Sequence, residues 1–279
     1  MTTIKQFIDA IRALLTSPRA LAILAALYAL LLATLSGFSS IREATLWQVT
    51  LTYLFLILIP LEFFVLQAAI LQHTRTHKFP WAQILRNAIK LAVVTIPIVL
   101  LGFGISYLLN KWQAHYPAPE PVIILPSAKT PPAAQPLHWP TVLFATVRLL
   151  LFAVVLPLAT IHLWIEVSAR DVRASFSGGA GAVLQRIGNA MARAFQFDSV
   201  LTYALGLMIF FLIPYFILWP RIPVKGNKTD FAVFIAQVLL AGLFTLIGWI
   251  VTLATLAKIE TLPPAPVSTV SEAPVEAAA

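Results

Sequence analysis

The 279-residue chain is 59% hydrophobic and 11% charged. Soluble domains have roughly 45–50% and about 25%, so this little charge cannot cover a water-facing surface. The absence of cysteine excludes disulfides, thiolate metal centres and cysteine nucleophiles. A net charge of +8 raises nucleic acid as a partner, but the placement of the basic residues argues for a membrane topology signal instead.

Six hydrophobic runs approach or exceed the roughly 20 residues needed to cross a bilayer core: residues 20–37, 47–72, 91–109, 141–167, 199–219 and 231–257. Ahead of them, Ile4, Phe7, Ile8, Ile11 and Leu14 recur at helical spacing opposite Lys5, Asp9 and Arg12. That pattern predicts an amphipathic helix in the headgroup plane. The first run has 18 residues, more than the roughly 7–15 of a signal-peptide core, which predicts an uncleaved span.

The second run contains "IPLEFF", with Pro60 and Glu62 inside an apolar helix, and ends in "QHTRTHKFP". His73 and His77 there have the i, i+4 spacing of a helical metal pair, but no third ligand accompanies them. Next, Trp81, Ile84, Leu85 and Ala88 face Arg86, Asn87 and Lys90 in a second amphipathic stretch over 79–90, leading into a third run that holds Pro97. Gly102 and Ser106 in that run have the small-xxx-small spacing of close helix packing. An outer loop follows over 113–140, with eight prolines between Tyr116 and Pro140; it predicts extended, partly polyproline II chain rather than helix.

The fourth run carries Arg148, Pro157, His162 and Glu166. "SGGAG" (177–181) lacks the ending of a nucleotide loop and predicts a hinge. After it, Val183, Leu184, Ile187, Met191, Ala194 and Phe195 oppose Arg186, Asn189 and Arg193 in a third amphipathic stretch. Pro214 lies in the fifth run, and the tail over 261–279, small and proline-rich, predicts disorder.

The expected fold is therefore all-α: one polytopic domain over 1–260, with six transmembrane helices as three hairpins, each preceded by a cytoplasmic amphipathic helix. The three units, 1–72, 79–170 and 179–260, also raise the prospect of internal repetition. With alternating spans, 12 basic residues fall on the side of the termini and 6 on the other, Arg148 lying within a span. The excess predicts cytoplasmic termini and an inner-membrane location. Trp47, Trp112, Trp139 and Trp219 at the outer span ends, and Trp81 and Trp164 near the inner ends, match aromatic belts, while Trp249 lies deeper.

Ionisable residues inside spans are costly and mark candidate sites. Glu62 lies about ten residues, or roughly 15 Å, from the inner end of its run. Pro60 frees the carbonyl of Leu56, and Pro60, Pro97, Pro157 and Pro214 are all expected to kink their helices. At 100° per residue, Arg148, His162 and Glu166 fall on one stripe, which predicts a polar centre with a Glu62–His162 contact. Two readings stay open: a proton- or ligand-linked centre, and a buried contact that fixes helix packing. Lys5, Arg12, Arg86, Lys90, Arg186 and Arg193 are candidate contacts to lipid headgroups. Neither a metal nor a cofactor is implied, and no catalytic constellation is present, so enzymatic activity is not expected.

The layout of basic amphipathic helices alternating with membrane hairpins, with pieces such as "LRNAIK" and "IPYFILWP", resembles a group of six-helix bacterial membrane proteins. That group includes the membrane domain attached to some glycerophosphodiester phosphodiesterases. With no enzyme domain present, the resemblance implies an accessory or scaffold role beside another membrane complex. The layout also resembles six-span permease subunits of ATP-driven exporters, which would imply a cytoplasmic ATPase docked on 79–90.

Overall fold

The structure, a computed structural model, describes residues 2–41, 45–117, 138–170, 179–219 and 228–261. Most of the proline-rich segment, the tail from 262 and the first residues of "SGGAG" lie outside this set. The described residues are helical apart from short connectors, with no strand among them. Eight helices result: α1 (Thr2–Leu15), α2 (Pro18–Ser40), α3 (Leu46–Thr76), α4 (Trp81–Gln113), α5 (Trp139–Ala169), α6 (Gly179–Ala194), α7 (Phe197–Leu218) and α8 (Lys228–Thr261). All except α1 and α6 are long and apolar enough to cross a membrane, six in number.

Local chemistry sets the boundaries. Pro18 stands in the first turn of α2, where its missing N–H costs nothing. A capping box of Thr45 and Gln48 opens α3, satisfying two backbone donors reciprocally. At its other end His77 takes a left-handed φ of 53° and returns its N–H to the His73 carbonyl. The amphipathic stretch over 79–90 does not form a separate helix. Nothing from Trp81 to Ile96 breaks the backbone ladder, so the stretch runs on into the third span as 33 continuous residues of α4.

The four span prolines divide into two kinds. Pro60 and Pro97 lie within helix assigned α throughout. Pro157 and Pro214 each follow a five-residue π turn, Leu151–Val155 in α5 and Met208–Leu212 in α7, at the same offset. A proline cannot donate to the carbonyl four residues earlier, here Ala153 and Phe210. The Tyr203 hydroxyl of α7 donates to the Ala153 carbonyl at 3.0 Å, so a neighbouring helix answers the acceptor that Pro157 leaves open. Such bulges widen the turn by about one residue and rotate everything beyond them by roughly 100°.

Packing is concentrated at the end of the bundle that carries α1, α6 and the α3–α4 connector, called the basic end below. There α3 is buried on every side from Leu66 to Gln72, α5 from Ile161 to Ile165, and α8 is closed from Ile250 to Leu253. At the opposite, open end no residue of α3 from Leu46 to Val65 and none of α5 from Trp139 to Leu150 is buried. Two glycines bring α7 and α8 together. A Cβ on Gly206 would overlap the Thr252 side chain, and one on Gly248 would lie 2.7 Å from the Phe210 backbone nitrogen. The expected small-residue contact at Gly102 is looser: a Cβ there would meet Leu156 at an ordinary 3.5 Å.

Both short helices brace this end. Thr3, Phe7, Ala10 and Leu14 of α1 are buried against α8, α7 and α2. Ile4, Ile8 and Leu15 stay exposed on the adjoining face, with Lys5, Asp9 and Arg12 outward. The apolar stripe read from sequence is thus split between bundle and surroundings. Ile187, Ala190 and Ala194 of α6 are buried, mainly against α5, while Leu184 is exposed.

Candidate functional site

Glu62 faces α2. Its Oε1 accepts from the Thr34 hydroxyl at 3.0 Å, and Oε2 is buried with no hydrogen-bond partner among the described residues. The same Thr34 hydroxyl lies 3.1 Å from the Leu30 carbonyl. One hydrogen therefore serves two acceptors, and the carboxyl group spans the α2–α3 seam with its bonding incomplete.

His162 is buried on α5 and meets α7, its Nε2 lying 3.1 Å from Ser199 Oγ. The expected Glu62–His162 contact is absent: the two residues have different partners on different helices. The reason is angular. The α3–α5 seam at this level is filled by Phe63 and Phe64, whose rings meet Trp164 edge-on at 6.0 and 6.1 Å. His162 is two residues, or about 200°, from Trp164. When Trp164 faces α3, His162 must face away from it. Trp164 is itself buried, donating from Nε1 to Thr95 of α4 at 2.8 Å. It is a core residue rather than the belt tryptophan its position near a span end implies.

The stripe of Arg148, His162 and Glu166 is likewise divided. The π turn between Arg148 and His162 shifts the helix phase, and Arg148 turns to α4, where Asn110 and Gln113 accept from it. Glu166 holds α6, pairing with Arg170 just beyond the end of its own helix at 2.9 Å and with Arg193 of α6 at 3.6 Å. Of the candidate headgroup contacts, Lys5, Arg12 and Arg86 are exposed, and Arg186 is partly so. Arg193 turns to Glu166. Lys90 is a correction: it is buried, and its Nζ donates to the Arg170 carbonyl at 2.9 Å, beyond the end of α5. Continuation of α4 carries Lys90 under the bundle instead of into the headgroup plane.

Several polar ties escape a reading that looks only for charges. Trp249 Nε1 donates to Gln67 Oε1 at 2.7 Å, joining α8 to α3. Gln72 and Asn87 meet across α3 and α4, and Arg75 donates to the Ile165 carbonyl. Buried amides in "VLQAAILQ" carry a signal in retrospect, since an amide in an apolar run needs a partner. Ser199 and Thr34 carry none, because a hydroxyl can bond back to its own helix. Nor do His73 and His77 gather a ligand set: their rings are 5.6 Å apart and perpendicular, and no cluster of three potential ligands exists among the described residues.

No protein-family model, curated protein or solved structure matches the chain.

Proposed function

We propose that this chain is a non-catalytic accessory or scaffold protein of the inner membrane, with both termini in the cytoplasm and its basic end at the cytoplasmic face. One observation supports this reading above the others: the four ionisable side chains expected to form a polar centre are each tied to a different neighbouring helix. Glu62 bonds α2, His162 bonds α7, Arg148 bonds α4 and Glu166 pairs with α6. A relay or binding centre needs such groups to converge; here they are distributed as struts. The excess of basic residues on the side of the termini supports this orientation.

Trp81, Leu85, Arg86 and Ile89 lie exposed at the start of α4, a face suited to a partner at the basic end. This face also supports the alternative, a permease subunit that docks an ATPase. Purification of the full chain in mild detergent, with identification of whatever accompanies it, separates the readings. A stoichiometric membrane complex is expected. A stoichiometric ATPase would move the assignment to the permease, and solute uptake by the chain alone in vesicles would refute the scaffold reading.

A further inference from the structure

At the basic end a cavity of about 440 Å³ opens where α2 begins and the α3–α4 connector turns back. Arg19, His73, His77 and Lys78 line its polar side, and Ile23 and Trp81 its apolar side. No carboxylate is among its lining residues within the described set. Phe79 stacks flat on the His73 ring at 4.9 Å and lies against Trp81, fixing the wall that both share. His73 Nδ1 is buried without a hydrogen-bond partner among the described residues. His77 is held at the rim by its left-handed backbone, which turns the chain from α3 towards Lys78.

We propose that this cavity binds the phosphate of an anionic phospholipid. A guanidinium and an ammonium lining one cavity, with no carboxylate among its described lining residues, suit a phosphate, the first by paired N–H donation and the second as a point charge. The imidazoles can add N–H donors. The apolar side decides between a lipid and a free anion. Ile23 belongs to the α2 span and Trp81 opens the α4 span, so an acyl chain leaving the phosphate would run along hydrocarbon-facing surface. The assignment rests on the membrane-spanning reading of α2 and α4, not on the scaffold role, and would survive failure of the latter. It also differs from diffuse attraction to Lys5, Arg12 or Arg86, which lie outside the cavity.

The test is titration of the delipidated full chain in mild detergent with phosphatidylglycerol or phosphatidylcholine, read by native mass spectrometry. Arg19→Gln with Lys78→Gln should weaken phosphatidylglycerol binding roughly thirtyfold, from the attraction expected of two basic residues, and leave phosphatidylcholine unchanged. Lys5→Gln with Arg86→Gln removes the same charge elsewhere and should change binding by no more than about twofold, as expected if attraction outside the cavity contributes little. Equal losses in the two double variants would show diffuse attraction and overturn the proposal. Displacement of all bound lipid by millimolar inorganic phosphate would assign the cavity to a free anion and overturn the lipid assignment. Arg19 and Lys78 are exposed, so helical content should persist. If the double variant unfolds, Lys78→Gln alone, in the connector, should give roughly fivefold; no loss would refute the site.

Discussion

α3 passes through two environments. From Leu66 to Gln72 every residue is buried, and the sequence there, "LQAAILQ", mixes small residues with amides. From Leu46 to Leu61 the same helix buries nothing and carries Trp47, Tyr53, Leu54 and Ile57 on its surface. Lipid offers no hydrophobic drive for helices to associate, so close packing forms where small side chains let backbones approach and polar groups bond across the seam. The basic end has both, with Ala68, Ala69, Ala88, Ala159 and Ala190 buried among the polar ties. The open end has bulky apolar side chains, which lipid solvates equally well.

This contrast can be broken by substitution, with stability read from reversible unfolding in mixed micelles. Trp164→Ala should have the largest effect, a loss of about 3–5 kcal/mol for a buried aromatic. Trp112→Ala, on the exposed end of α4, should be near neutral. Next comes Gly248→Ala, whose new methyl would press on the Phe210 backbone and cost about 1–3 kcal/mol. Gly104→Ala, with open space at its Cβ, should instead gain up to about 1 kcal/mol from helix propensity. Equal losses at the paired positions would show that the two ends are not different in kind.

Tyr203→Phe sharpens the account of the π turns. It removes the donor to the Ala153 carbonyl and should cost about 1 kcal/mol. Glu62→Gln should have the smallest effect of the series, neutral or slightly stabilising. The new amide retains an acceptor for Thr34 and brings hydrogens to a site where one hydroxyl hydrogen now serves two acceptors. A large destabilisation there would mean that the carboxylate charge itself has a partner.

Much of this was legible in the sequence, and the boundary of legibility has physical causes. Span number, the existence of α1 and α6 and the exposed position of Trp47, Trp112, Trp139 and Trp219 follow from length and periodicity alone. The continuity of α4 did not, because a change from amphipathic to apolar pattern is not a break in the backbone. The Glu62–His162 pairing failed for a related reason. Depth can be counted from a span end, but azimuth requires knowing which face of α5 meets α3, and Trp164 decides that. The stripe of Arg148, His162 and Glu166 assumed unbroken 100° steps, and the π turn before Pro157 invalidates that count. Gly248 and Thr252 have the same small-xxx-small spacing as Gly102 and Ser106, and spacing alone does not say which pair packs closely.

The central claim is that the intramembrane polar residues act as separate struts. Two double-mutant cycles test it directly, one joining Glu62→Ala to Thr34→Ala and one joining Glu62→Ala to His162→Ala. Glu62 and Thr34 should couple by about 0.6 kcal/mol, the usual strength of such a bond between membrane helices, and Glu62 and His162 by close to zero. Coupling of about 1 kcal/mol or more between Glu62 and His162, with none to Thr34, would contradict the account and restore a shared polar centre.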